Sequence, residues 1–234
     1  MRLAALLAAG LVWATTTAAE AITGARYEGP TDRYAHGILG DAIEHGELVL
    51  TLADGKRKRL VLPESRVFED TAPRLFDVDG DGDREVIVVE SDQSRGARLS
   101  IYGSEGLEAA TDYIGRSNRW LAPTGIGAAD LDGDGQIELA YVDRPHLAKT
   151  LRIFRFRKGK LAHLADLPGV TNHRIGERDI AGGIRECGAG PEIIVADARW
   201  RQVLAVGFDG NGFQTRVLGP HQGRRSFAAA MACK

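Results

Sequence analysis

The sequence is short of most features that announce a mechanism. Its 234 residues hold two cysteines, eight prolines and three tryptophans. Two cysteines exclude a disulfide-dense scaffold and a cysteine-rich zinc module. The six histidines are scattered without an HExxH pair, and no GxSxG elbow or GxxxxGK[ST] phosphate loop occurs. The sequence therefore assigns no catalytic residue. Charge of one sign is missing as well, since 30 basic side chains face 32 acidic ones. That balance offers no general attraction for nucleic acid or an anionic membrane. Past residue 21 no segment sustains a 3.6-residue apolar period over three turns, so helix is expected to be minor.

Long apolar runs are lacking too. Arg2 is followed by "LAALLAAGLVW", too short to cross a bilayer comfortably, and small residues lead on to "TTTAAEA". The pattern predicts a secretory signal peptide over residues 1–21, cut after Ala19 or Ala21, and no membrane span afterwards. The protein is then expected to be secreted or periplasmic. In an oxidising compartment the even cysteine count predicts one bridge, Cys187 to Cys233.

What is plentiful is glycine, at 29 residues, and with it tight turns. Hydrophobic residues reach 44%, enough for a real core. The runs "ELVLT", "EVIVV", "ELAYV" and "EIIVA" are short, rich in β-branched residues and flanked by turns. They fall in repeat units at 31–69, 70–120, 121–170 and 171–222. Units of this length with about four strands predict an all-β fold, a small β-propeller of four blades, each a four-stranded antiparallel sheet. An open repeat stack or a β-sandwich is the alternative. The first blade is expected to begin with a strand at "HGILGDA", and the tail 223–234 to close the ring as a strand against it.

Two units carry the same acidic loop, within "FDVDGDGDREVIVVE" (76–90) and "AADLDGDGQIELAYV" (128–142). Asp77, Asp79, Asp81 and Glu85 supply carboxylates at positions 1, 3, 5 and 9, as do Asp130, Asp132, Asp134 and Glu138. Gly82 and Gly135 permit the bend, and the main-chain carbonyls of Asp83 and Gln136 can add an oxygen. Hard oxygens without histidine or cysteine predict Ca²⁺, with two sites. Position 12 is Val88 or Tyr141 instead of glutamate, which excludes an EF-hand. Four neighbouring carboxylates repel unless neutralised, and a turn alone needs far fewer. The third copy, "DIAGGIRECGAGPE", is aligned with Asp179 in the place of Asp77 and Asp130. It has lost the middle acids and is not expected to hold calcium.

The pattern Asp-x-Asp-x-Asp-Gly-x-x-acid between strands resembles the calcium loops of FG-GAP repeats, known from integrin alpha-chain propellers and bacterial FG-GAP/VCBS repeat proteins. The resemblance is specific in the two full loops and spreads over residues 31–222 as repeated units. It implies a propeller with structural calcium and a binding or scaffold role toward a protein or polysaccharide ligand. Integrin propellers have more blades than this length allows, so their partner surface is not carried over. The alternative is a carbohydrate-active hydrolase or lyase-type propeller enzyme, which requires His36, His173 and Arg174 or Arg178 to converge in the central channel. Glu90, Asp143 and Asp197, followed by Arg95, Arg144 and Arg199 with His146 and Trp200 nearby, are read as hairpin caps and surface ion pairs. "KRKR" at 56–59 and "DGNG" at 209–212 are read as solvated hairpin turns.

Overall fold

Short β-branched runs between glycine turns fold here into antiparallel sheets that follow one another along the chain. The structure, a computed structural model, describes residues 20–234. Nearly all of the predicted signal peptide lies outside the described residues. Those residues form seventeen strands and one helix.

The first sheet contains β1 (Ile22–Thr31), β2 (Glu44–Leu52), β3 (Arg57–Val61), β4 (Arg66–Phe68), β5 (Arg74–Phe76), β6 (Glu85–Asp92), β7 (Gly96–Gly103) and β8 (Gly106–Ala110). β4 pairs with β6 and, through His45 opposite Phe68, with β2. This bridge merges the first two repeat units into one sheet. The second sheet is the meander β9 (Leu121–Ala129), β10 (Glu138–Asp143), β11 (Thr150–Arg157) and β12 (Lys160–Pro168). The third holds β13 (Val170–Thr171), β14 (Gly183–Glu186), β15 (Pro191–Asp197), β16 (Gln202–Phe208) and β17 (Phe213–Pro220).

Successive residues of each central strand face different neighbours. Val86 and Val88 pack with Leu48, Leu50 and Phe68 of the first unit, while Ile87 and Val89 pack with Leu139 and Tyr141 of the third. Ala140 and Val142 then meet Ile193 and Val195 of the fourth. Both faces of these strands are buried, which is why they read as continuous apolar runs. Each fully buried Ile, Leu or Val contributes about 1.5–3 kcal/mol.

Two expected strands are absent. The "HGILGDA" segment is a series of turns, because Gly37 and Gly40 adopt φ of 65° and 96°, which a strand does not use. The first unit opens instead with β1. The tail forms helix α1 (Arg224–Met231). Its alanine-rich sequence favours helix, and Phe227 and Ala230, three residues apart, share one face. That face packs on Ile194, Ala196, Val203 and Ala205 of the last sheet, not on the first blade. Just beyond it Cys233 is bonded to Cys187, with Cα atoms 5.8 Å apart. The first and last units meet through loops, where Gly176 N–H donates to Ile38 O at 3.0 Å. Gly40 sits so close to the Gly176 carbonyl that a Cβ would lie 2.7 Å from its oxygen.

Candidate metal centre

Both acidic loops span the gap of a strand hairpin whose closing pairs are Phe76 with Glu85 and Ala129 with Glu138. The short gap forces the chain to fold back on itself, and the aspartates satisfy the main chain as it turns. Asp77 Oδ1 accepts from Gly80 N–H at 2.7 Å and Oδ2 from Gly82 N–H at 3.0 Å. Asp79 Oδ1 and Asp81 Oδ1 accept from the N–H groups of Asp81 and Asp83 at 3.3 and 2.8 Å. Glu85 reaches back so that its Oε2 accepts from Val78 N–H at 2.9 Å. The second loop repeats every bond: Gly133 and Gly135 to Asp130, Asp134 to Asp132, Gln136 to Asp134, and Leu131 to Glu138. Gly82 and Gly135 take φ of 96° and 85°, a conformation that strains any other residue.

These bonds gather some of the predicted ligands. Asp77, Asp79 and Glu85 bring carboxylate oxygens within 4.8 Å of one another, and Asp130, Asp132 and Glu138 do the same. The side chains of Asp81 and Asp134 do not belong to these groups, which gather carboxylates only and so do not bear on the main-chain carbonyls expected of Asp83 and Gln136. Each trio is an all-oxygen donor set of the kind that suits a hard divalent cation.

The loops part company at the oxygens the main chain leaves over. In the second, Arg155 of β11 takes all three: Nη2 lies 3.0 Å from Asp132 Oδ2, Nη1 2.9 Å from Asp134 Oδ2 and Nε 2.6 Å from Glu138 Oε1. Arg155 stands directly across the ladder from Glu138. The same register places Gly103 opposite Glu85, next to the Val86–Tyr102 pair. The space over Gly103 is filled by the side chain of Glu108, one more acid. Burial pushes Glu85 up to about 7, and Asp79, Glu108 and Asp81 add to the rise. Asp79 and Glu108 are raised by burial and by their acidic neighbours. Glu138 is also raised by burial, but Leu131 N–H and Arg155 pull it back, and Gln136 N–H and Arg155 lower Asp134. The sequence reading missed Arg155 and Glu108. The only available signal was strand register, since Arg155 lies 17 residues from Glu138.

The fourth unit corrects the alignment of Asp179. In the ladder Arg185 faces Glu192, so the residue in the place of Asp77 and Asp130 is Glu186. Its Oε1 accepts from Gly188 and Gly190 N–H at 2.9 and 3.1 Å, a shortened version of the same turn. Asp179 instead pairs with Arg224 at the foot of α1. Glu192 is clamped by Arg185 and Arg216, each at 2.6 Å.

Residues 77–141 match the FG-GAP-like repeat family. The chain carries an FG-GAP-like repeat. The match runs from the first residue of one acidic loop through the whole of the other. Among solved structures, an exotype rhamnogalacturonan lyase, YesX, overlaps 81% of this chain and 43% of its own at 15% identity and a TM-score of 0.43. Regucalcin, a calcium-binding protein from Agrobacterium tumefaciens, overlaps 83% of this chain and 62% of its own at 17% identity and a TM-score of 0.30. The chain therefore spans less than two thirds of either protein. No curated protein matches the sequence.

Outside the FG-GAP-like repeat loops, two of the acids read as hairpin caps and surface pairs are buried. Asp197 caps its hairpin as expected, its Oδ1 accepting from Arg201 and Gln202 N–H at 2.6 and 2.8 Å. Glu90 is fully buried because β6 continues through it, and Asp143 is fully buried at the end of β10, where it is paired with Thr150 on one side and Leu121 on the other. Arg66, Arg98 and the Tyr102 hydroxyl hold Glu90. Arg144 and Arg152 hold Asp143. Arg95 pairs with Asp92, not Glu90. Of the residues the enzyme reading names, His36 and Arg174 line different pockets, Arg174 stacks on Trp200, Arg178 pairs with Asp41, and His173 is buried.

Proposed function

We propose that the chain is an exported binding or scaffold module in which calcium, held by Asp77, Asp79 and Glu85, stabilises the FG-GAP-like repeat. One observation carries this reading. The donor oxygens that Arg155 neutralises in the second loop form no ion pair in the first among the described residues, although Arg84, Arg157 and Lys158 line the cavity beside it, and Glu108 adds to the charge. A divalent cation is the natural counter-charge for such a cluster, and calcium accepts a flexible oxygen shell. Its role is neutralisation: it ties the end of β5 to the start of β6. Asp130, Asp132 and Glu138 offer a similar set, but calcium enters there only by displacing Arg155. The leader-like pattern expected over residues 1–21 and the Cys187–Cys233 bond support export to an oxidising space. The partner we infer is a protein or polysaccharide.

Calorimetry and thermal melts of the purified chain test this. Calcium should bind and raise the melting temperature, chelator should lower it, and magnesium should substitute poorly. A chain that takes up no calcium and melts identically in chelator is not calcium-stabilised.

A further inference from the structure

Loops from all four units converge on one end of the molecule and enclose a pocket of about 350 Å³. His36 comes from the first unit, Arg119 and Trp120 from the crossover into β9, His146 and Leu147 from the β10–β11 hairpin, and Ile175 from the fourth. That volume falls in the range of small-molecule sites.

Two imidazoles face this pocket in fixed tautomers. Glu69, fully buried, lies 2.6 Å from His36 Nδ1 and accepts from the Ser91 hydroxyl. Trp120 Nε1 donates to the Glu69 main-chain oxygen at 2.7 Å, which fixes the segment. In its neutral form His36 turns its Nδ1–H to the carboxylate and keeps an Nε2 lone pair. His173 Nε2 lies 2.7 Å from the Glu177 carbonyl, which only accepts, so that nitrogen carries the proton. Its Nδ1 must then accept from His146 Nε2 at 3.2 Å, and the lone pair of His146 is left on Nδ1. Burial and the neighbouring His173 hold His146 neutral.

The third component is charge. Arg119 makes no ion pair among the described residues, and its guanidinium bonds the Asn118 main-chain oxygen at 3.1 Å. The fourth is apolar surface: Leu147 and Ile175 are 60% and 70% exposed beside the buried Trp120. An unpaired cation, two oriented acceptors and an exposed apolar rim in one concavity specify a ligand chemistry.

We propose that this pocket binds a small organic acid. Its carboxylate lies on Arg119, its apolar body against Leu147, Ile175 and Trp120, and a hydroxyl or N–H donor on it meets His36 Nε2 or His146 Nδ1. This adds a small-molecule ligand to the protein or polysaccharide partner of the binding reading and does not depend on where calcium sits.

The test uses the calcium-loaded full chain with benzoate, 4-hydroxybenzoate and hexanoate, each beside its uncharged amide. Methyl resonances of Leu147 and Ile175 and the imidazole nitrogens are followed by NMR. At least one acid should bind with a dissociation constant of about 1 mM or tighter, and about tenfold tighter than its amide. Arg119→Gln, a change at a part-exposed side chain, should erase the preference for acid over amide while leaving calcium uptake intact. Absence of saturable shifts with all three acids overturns the proposal, as do equal affinities for acid and amide, or a preference that survives Arg119→Gln. Calcium uptake is recorded in the same samples, so failure of the pocket and failure of the calcium reading are separate outcomes.

Discussion

The loops 77–85 and 130–138 make the same main-chain hydrogen bonds with the same carboxylate atoms, yet they end in opposite electrostatic states. In the first, Glu85 is driven upward by burial and by neighbouring acids. In the second, Arg155 lies within 3.0 Å of three carboxylates. A motif thus sets where acids converge, while the adjacent strand decides whether they need an external cation. The fourth unit shows a third solution to the same hairpin. There the middle acids are gone, two arginines clamp Glu192, and Cys187 ties the loop covalently to the tail.

The comparison is broken most severely by cutting the covalent tie. Cys187→Ser with Cys233→Ser should cost about 4 kcal/mol in the chain-entropy model, given the sequence separation of 46. Urea denaturation should give the same loss with calcium and with chelator, because the fourth unit's loop does not rely on the ion. A loss confined to chelator would mean that metal and disulfide support one another across units.

Arg155→Ala comes next. It strands the fully buried Glu138 carboxylate without its cation, at a cost of about 3 kcal/mol in chelator. Calcium should then recover much of that stability, and calorimetry should register one more bound ion than in the parent chain. If the variant is destabilised but takes up no additional calcium, the second loop lacks the geometry of a metal site and Arg155 is simply structural.

Asp79→Ala and Asp132→Ala give the sharpest contrast for the least chemistry. With calcium at 100 times its dissociation constant, binding adds about 2.7 kcal/mol per site. Asp79→Ala should remove that increment and leave the chelated protein unchanged or slightly more stable, since one repelling charge is gone. Asp132→Ala should instead destabilise with or without calcium, because it takes a partner from Arg155. Matching behaviour in the two variants would abolish the distinction between the loops.

These differences also mark where sequence reading stops. The acidic ladders were legible because an aspartate caps a turn a few residues away, and the central strands because both faces are apolar. Arg155 and Glu108 were not legible, since each reaches its loop across a strand ladder whose register is a tertiary fact. The tail "FAAAMACK" resembled a strand because alanine suits several environments, and only the Phe227–Ala230 spacing hinted at a helix. Asp179 was misaligned because the fourth loop is shorter, which shifts the ladder to Glu186. Glu90 looked like the end of a strand, whereas pairing continues through it to Asp92; Asp143 does end its strand, but pairing on both sides buries it.

The smallest effect concerns protons, which compete with calcium for the first loop. Glu85 is raised from 4.5 to about 7, so between those values the folded chain holds a proton that the unfolded chain releases. By linkage, its contribution to stability is complete below about 4.5 and is lost as pH rises through about 7. The metal-free protein should therefore weaken from pH 5 to pH 8, and Glu85→Gln should flatten that part of the slope. Glu44, raised to about 9 by burial, acts in the same sense but cancels between parent and variant. Glu108→Gln removes one of the charges that raise Glu85, so it should lessen the slope and weaken calcium binding by about 1 kcal/mol or less, as expected for a part-exposed charge. Saturating calcium should abolish the part of the slope that Glu85 contributes, because the ion replaces the proton, and leave the Glu44 part in place. Denaturation curves in metal-free buffer at the two pH values check the sign. An unchanged slope in Glu85→Gln would place the titrating group elsewhere and leave the first loop no more strained than the second.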